Sequence, residues 1–455
     1  MTYENQRIDI QHYIQAAKSK LKIRQLPTLI KGVRGTSNKD HIPENLAKGI
    51  LRAQHHLYVN KDGTIRFDMT ELGCTHFKPK EIGLSVNKAK EIGYTHDIEG
   101  KVLESAEQIV EIRPQDVILP LSSLNSEGAA KTLVQISKFV DEELKKLYDL
   151  EPYYNLKTPK DLIGHLVIGL APHTSAGILG RIIGFSSTQA IFAHPYWHDA
   201  QRRDLDGEET SIILIMDAFL NFSRQYLPNK RGARSMDAPL VLSTILNPEE
   251  IDDEVYDVDT ARTYPLEFYE AAQNYKMPVD IKIEQIRDRV GKVEQYEGLG
   301  YTHEVSDLNA GVHSSAYKTI PTMLEKLAGQ MELAESIRAV DFESVASLVI
   351  EGHFIKDIKG NLRKFTKQSF RCVKCNARYR RPPLSGACTE CGGRLIFTIA
   401  EGTVKKYLEL SLKLAQYGQV PAYLKQSLQI IQRRVESIFG KEKTKQTDLN
   451  GFFKK

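Results

Sequence analysis

Apolar residues recur at i, i+3 and i+4 through residues 127–149 (EGAAKTLVQISKFVDEELKKLYD), which predicts an amphipathic helix. The first 25 residues show a looser version of the same spacing across 8–23 and read as a helical lead-in. Between residues 26 and 125 the pattern shortens to alternating pieces, HHLYV, TIRFDM and QDVILPL, separated by NKDG and PKEIG. Such pieces predict strands joined by tight turns. The most apolar stretch covers 161–192, where Gly177, Gly180 and Gly184 stand among branched residues and permit close backbone packing. Thr174 or Ser175 is placed to cap a helix running to about residue 183, and 210–227 (TSIILIMDAFLNFSRQYL) reads as another helix. Beyond Pro321, TMLEKLAGQMELAESIRAV is helical, and 403–417 and 421–439 predict two further helices before a polar tail.

Composition narrows the class. The 455 residues are 41% apolar and 26% charged, which suits a globular protein and excludes collagen-like and wholly disordered chains. At roughly 100–200 residues per domain, this length suggests two to four domains. No apolar run approaches the ~18–20 residues needed to span a bilayer, so no membrane partner is expected. The opening MTYENQRIDI has neither a basic start nor an apolar core, so a cytoplasmic location is expected. The net charge, 62 bases against 58 acids or +4, decides little, but its distribution is uneven. Residues 248–259 (PEEIDDEVYDVD) carry seven acids and no base and read as a solvated turn. Residues 361–381 carry eight bases and no acid, interleaved with Phe365, Phe370 and Tyr379. A cationic stripe of that kind, including Arg378, Arg380 and Arg381, suits a phosphate backbone with occasional stacking on bases.

Two segments carry candidate metal chemistry. Cys372, Cys375, Cys388 and Cys391 form two Cys-x-x-Cys knuckles separated by twelve residues. That spacing points to a closed four-sulfur zinc site, which holds a fold rather than catalyses. Cys74 stands apart and reads as a plain buried thiol. The second segment is His198-Asp-Ala-Gln-Arg-Arg-Asp204-Leu-Asp206-Gly-Glu208-Glu209. Carboxylates at 204, 206 and 208, with Gly207 making a sharp turn, can aim several oxygens at one volume, as Mg²⁺ requires. Arg202 and Arg203 beside them suit phosphate chemistry. On spacing alone the favoured reading is an acidic surface loop beside a helix start, its acids suiting the dipole of the helix that follows.

The stretches KGILRAQHHLYV, THFKPKEIG, DLIGHLVIGLAPHTSAGILGRIIGFS, AHPYWHDAQRR, DAFLNFSRQYLPNKRGARSMDAPLV and FRCVKCNARYRRPPL, in this order, resemble the C-terminal portion of the large subunit of archaeal family D DNA polymerase. The resemblance runs from about residue 27 to 400. It implies an α+β fold with a double-psi β-barrel catalytic module, and template-directed DNA synthesis by two-metal nucleotidyl transfer. It further implies that Asp206, Gly207 and Glu208 lie on the family's Asp-Gly-Asp catalytic core, where Asp206 and Glu208 hold Mg²⁺ and Asp204 assists. Two departures stand out: Glu208 takes the place of an Asp, and Asp204 that of an Asn. The family's long N-terminal region has no counterpart, so the chain reads as one piece of a split large subunit or as a fragment. Its expected partners are that N-terminal half, the small exonuclease subunit and DNA. The competing reading is a non-catalytic replication scaffold that binds DNA and the sliding clamp.

The tail offers one more motif. Gln446, Leu449, Phe452 and Phe453 fit the pattern by which replication proteins bind the sliding clamp (PCNA), with the aromatic pair as a hydrophobic plug. Lys230 and Arg231 are placed to meet a triphosphate or primer backbone. His173, His194 and His198 read as hydrogen-bonded core or hinge residues, and Trp197 as a ring packed near the acidic loop. The chain is thus expected to comprise a mixed region with short strands (1–125), the catalytic barrel (126–300), a helical connector (301–365), a zinc module (366–400), C-terminal helices (401–440) and a flexible tail (441–455).

Overall fold

The computed structural model describes residues 9–30, 44–60, 62–122, 128–171, 174, 176–222, 240–249, 251, 253–300, 307–313, 320–396, 399–416 and 420–440. Residues His173, Lys230, Arg231, Gln446, Leu449, Phe452 and Phe453 therefore lie outside the described residues. The chain divides into two compact units, Met1–Ser315 and Ala316–Lys455. Among the described residues no helix is long and apolar enough to cross a membrane.

The first unit is organised by six strands, most of them buried on both faces: β1 (Phe67–Gly73), which alternates between exposed and buried positions, β4 (Asp116–Pro120), β5 (Leu166–Leu170), β6 (Ala176–Ser186), β7 (Ala190–Ala193) and β8 (Glu209–Leu214). A short antiparallel pair, β2 (His76–Phe77) and β3 (Val110–Glu111), stands outside this set, and β9 (Val241–Ser243) flanks β6. The main sheet runs β4-β7-β1-β8-β5-β6, and β4 also pairs with β6, so six strands close on themselves. The ring is mixed: β1–β7 and β4–β6 are parallel, while β1–β8, β5–β8, β5–β6 and β4–β7 are antiparallel. The ring draws β1 and β4 from the segment before residue 126. Helix Ala129–Leu147 packs a face of Leu133, Ile136, Phe139 and Val140 into the same core, as its periodicity predicts.

Two segments expected to be helical are strands. The helix anticipated from Thr174 to about residue 183 is β6, buried along most of its length. Its branched residues (Ile178, Ile182, Ile183) favour an extended backbone, and its glycines are there for strand packing rather than helix crossing. Trp197 shows why: a Cβ on Gly169 of β5 would meet the indole at 2.3 Å, and one on Gly180 of β6 would meet it at 3.1 Å. The indole, fully buried and donating from Nε1 to the Leu179 carbonyl at 3.3 Å, thus lies flush on two strand backbones. The segment 210–227 splits into β8 and a short helix, Ile215–Asn221, because the buried run Thr210–Leu214 completes the sheet before the chain can coil. Residues 55–59 (HHLYV) follow helix Leu46–Gln54 and form no strand, whereas 116–120 form β4 as predicted.

The second unit is helical around its own core of Ile350, Ile358, Val404, Leu424, Leu428 and Val435. Helix Met323–Ser336 starts on a Thr322–Glu325 capping box. The 403–417 segment breaks into Glu401–Lys405 and Leu408–Leu414, and Ala422–Phe439 is continuous. Between these helices sits a small sheet, β11-β10-β12, made of β10 (Phe370–Cys372), β11 (Arg378–Tyr379) and β12 (Leu395–Ile396). The molecule is therefore mixed α+β, with one large mixed sheet and a cysteine-bearing module.

Candidate functional site

The acidic loop joins a short helix, Pro195–Asp199, to β8. His194 caps that helix, its Nδ1 accepting the Tyr196 amide at 3.2 Å, and Pro195 at the first position suits the turn. The loop bends through positive φ at Arg202 (59°) and Gly207 (99°). The β1–β8 register, with Thr70 opposite Glu209, then sets Glu71 against the end of the loop. Glu71 is fully buried; its Oε1 accepts the Gly207 amide at 3.3 Å and the Glu208 amide at 3.2 Å. Its own amide donates to the Glu208 carbonyl at 2.9 Å.

Behind Glu71 stands His198, also fully buried, with Nδ1 3.2 Å from Glu71 Oε2 and Nε2 donating to the Leu72 carbonyl at 3.1 Å. Burial lowers the His198 pKa to about 4, so the ring is neutral near pH 7. Desolvation raises Glu71 to about 7; the two loop amides oppose that rise, and the charges of Asp206 and Glu208 add to it. A neutral ring that donates through Nε2 offers Nδ1 as an acceptor, which a protonated Glu71 can fill.

The loop carboxylates differ in setting. Asp204 and Asp206 are exposed, while Glu208 is half-buried and its Oε2 accepts Arg203 Nη1 at 2.7 Å. A second acidic element reaches the loop. Glu254 Oε2 accepts the Leu205 amide at 3.2 Å, and Asp199 Oδ2 accepts the Val255 amide at 2.6 Å. The Glu254 carboxyl is pushed up, first by desolvation and then by Asp204 and Asp206. Acids of the 248–259 block are solvated, Glu249, Asp253, Glu254 and Asp257 being exposed, while Val255 is fully buried and Glu254 joins the rim of the acidic loop. Arg202 is exposed beside the same rim.

In the second unit the four cysteines converge, with Cys372 Sγ 3.5 Å from Cys391 Sγ and Cys375 Sγ 3.4 Å from Cys388 Sγ. Among the described residues this is the one group of three or more His, Cys, Asp or Glu whose candidate ligand atoms all lie within 4.8 Å of one another. The first knuckle is the β10–β11 turn; the second closes through Gly392 at φ 68°. Lys374 donates its amide to Cys372 Sγ at 3.4 Å, and Tyr379 Oη lies 3.0 Å from Cys388 Sγ. The Tyr379 hydroxyl lowers the Cys388 thiol to about 6, while Cys375 is pushed up to about 12 among its neighbouring sulfurs. Four sulfurs so close cannot all ionise without a cation between them, and that donor set fits one soft divalent metal. Arg378, Arg380 and Arg381 are exposed on this module. Two aromatics expected to stack on bases are engaged elsewhere: Phe365 packs edge-on against Phe439 at 4.7 Å, and Tyr379 serves the cysteines. Cys74, buried, is pushed up to about 12 and is inert.

Comparison with known proteins settles the lineage. Residues 22–326 match the family model described as DNA polymerase II large subunit DP2, catalytic domain. The chain belongs to the DNA polymerase II large-subunit family. The large subunit of Nanoarchaeum equitans is 50% identical over 459 aligned residues, covering 97% of this chain and 37% of the relative. That of Methanocella arvoryzae is 50% identical across 98% of this chain and 39% of its own length, and that of Pyrococcus furiosus 50% across 90% and 32%. The chain thus spans about two fifths or less of the relatives it matches. Within this family frame the acidic loop and the closed sheet fall inside the matched region, and the cysteine cluster lies beyond it. The sequence reading passed over Glu71 and Glu254. Glu71 sits 137 residues before Glu208, in a strand where its buried position gives no outward signal. The density of acids at 248–259 was the available sign for Glu254.

Proposed function

We propose that this chain is the C-terminal part of the catalytic large subunit of an archaeal family D replicative DNA polymerase, and that the acidic loop is where nucleotidyl transfer takes place. The carrying observation is the gathering of carboxylates around one turn: Asp204, Asp206 and Glu208 lie on it, Glu71 Oε1 accepts its Gly207 and Glu208 amides, and Glu254 Oε2 accepts its Leu205 amide. A turn so surrounded by carboxylates draws divalent cations. Asp206 and Glu208 would hold Mg²⁺, with Asp204 assisting. When bound, the two metals supply activation of the primer 3′-hydroxyl and charge neutralisation on the departing pyrophosphate. The new bond joins the 3′-oxygen to the α-phosphorus, and the bond from that phosphorus to the leaving pyrophosphate breaks. Arg202 and Arg203 stand where they can meet phosphate oxygens. For Arg203 this requires release of Glu208, which frees the carboxylate for metal at the same moment.

The closed six-stranded sheet is in keeping with a double-psi barrel. The four cysteines hold structural zinc, with no open position for chemistry. Arg378, Arg380 and Arg381, together with Lys230 and Arg231, contact DNA. The remaining partners are the N-terminal half of the large subunit, the small exonuclease subunit and the sliding clamp, the last through Gln446, Leu449, Phe452 and Phe453. The setting is cytoplasmic.

One observation favours a scaffold without chemistry: the second loop carboxylate is a Glu already paired to Arg203 at 2.7 Å. Primer extension by the reconstituted complex, compared with its Asp206→Ala variant, separates the two readings.

A further inference from the structure

The loop that carries Asp206 and Glu208 is short, exposed and hinged on a glycine in the left-handed region. Left to itself such a turn samples many conformations, since glycine loses the most backbone freedom on ordering. A metal site needs the opposite, carboxylates already held where the ion will sit. Something beneath the loop must select one conformation.

We infer that Glu71 is the positioning residue of the Asp206-Gly207-Glu208 turn, gripping it through the backbone from inside the sheet. Three contacts converge on one peptide segment: Oε1 accepts the Gly207 amide at 3.3 Å and the Glu208 amide at 3.2 Å, and the Glu71 amide donates to the Glu208 carbonyl at 2.9 Å. The grip is itself braced. His198 Nδ1 stands 3.2 Å from Glu71 Oε2, and His198 is held in turn by the Leu72 carbonyl at 3.1 Å. Both side chains are fully buried, so water does not compete for the contact between them. Burying an acid next to Asp206 and Glu208 is electrostatically unfavourable. The arrangement is explained if an acceptor is required there for the two loop amides. Glu71 touches no substrate in this role and acts only through the turn. The inference rests on the proposed metal-binding role of Asp206 and Glu208.

The geometry separates two substitutions. Glu71→Gln keeps an Oε1 acceptor for both amides, and its Nε2 can donate to His198 Nδ1. Glu71→Leu keeps the volume but leaves two part-buried amide donors without their acceptor, a loss worth about a factor of ten. Mn²⁺ serves as the probe, its binding to the full chain measured by electron paramagnetic resonance. We expect Glu71→Gln to stay near wild type and Glu71→Leu to bind Mn²⁺ at least roughly tenfold more weakly. In the reconstituted complex Glu71→Leu lowers kcat while KM for primer-template is unmoved. In the wild-type chain, the Gly207 and Glu208 amides exchange with deuterium slowly and lose that protection in Glu71→Leu. Wild-type amides that exchange at the rate of free peptide overturn the inference, even if Glu71→Leu fails to fold. So does a folded Glu71→Leu with wild-type Mn²⁺ affinity. A failure of the underlying reading looks different: Asp206→Ala would then bind Mn²⁺ as wild type does, while the two amides remain protected.

Discussion

Arg203 Nη1 donates to Glu208 Oε2 at 2.7 Å, which ties the second carboxylate of the acidic loop to a base five residues away. The pair is partly exposed, so as an ion pair it contributes little, roughly 0–1 kcal/mol. Its consequence is positional. The longer arm of Glu208 reaches Arg203, and an Asp at the same place is one methylene shorter.

Replacing Glu208 by Asp therefore frees Arg203 and draws the carboxylate back toward the turn. Glu208→Asp is expected to extend primers at least as fast as wild type, and Glu208→Ala to lose about 10²-fold in kcat, the scale of a ligand misplaced by about 1 Å. Single-turnover extension at saturating Mg²⁺ makes the comparison. A Glu208→Ala enzyme with unchanged rate would remove Glu208 from the metal site.

The cysteine cluster is predicted to hold about one zinc per chain and to support the second unit alone. Cys388→Ser, which removes the thiol already lowered by Tyr379, should lower zinc content and the thermal stability of Ala316–Lys455. Metal analysis with calorimetry checks both. Asp206→Ala should keep its zinc; zinc loss there would mean the two sites are not independent.

Trp197 lies against Gly169 so closely that a methyl group has no room, the nearest ring atoms being 2.3 Å from the built Cβ. Gly169→Ala should cost about 1–3 kcal/mol by overpacking. Trp197→Phe in the same chain should recover part of that loss, since the two residues touch and their effects are not additive. Thermal unfolding of both variants and the double variant measures the coupling.

His194 is fully buried, and burial lowers its pKa from 6.5 to about 3. The unfolded chain binds a proton below pH 6.5 that the folded chain refuses. Stability is therefore full above pH 6.5 and falls as pH drops from 6.5 toward 3. His198, lowered to about 4, acts in the same direction. His194→Asn keeps an acceptor for the Tyr196 amide but no longer titrates. Denaturant unfolding between pH 6.5 and 4.5 should show its slope reduced by about 1.4 kcal/mol per pH unit relative to wild type.

Parts of this molecule were readable from residue order and parts were not, for reasons of distance and burial. The cysteine knuckles and helix Ala129–Leu147 were plain because their signals are local: a two-residue spacing and a 3.6-residue period. The helix expected from Thr174 to about residue 183, and the 210–214 part of the other, are strands, which the pattern hid because a strand buried on both faces has no alternation to show. What decides those strands is the pairing of each with β5, and for residues 176–186 also the indole of Trp197 laid across β5 and β6. The acidic loop was ambiguous in spacing and became meaningful through resemblance. Its support was invisible, because Glu71 and Glu254 meet it only after the sheet closes and the 253–257 turn folds back.

The most direct test is primer extension by the complex reconstituted from this chain and its partner subunits, wild type beside Asp206→Ala, with zinc content and unfolding temperature matched. The account predicts template-directed extension by wild type and a loss of at least about 10³-fold in the variant, the scale on which removing one key electrostatic stabiliser acts. Equal extension by the two proteins would contradict the assignment of chemistry to the loop, and absence of extension in both would support the scaffold.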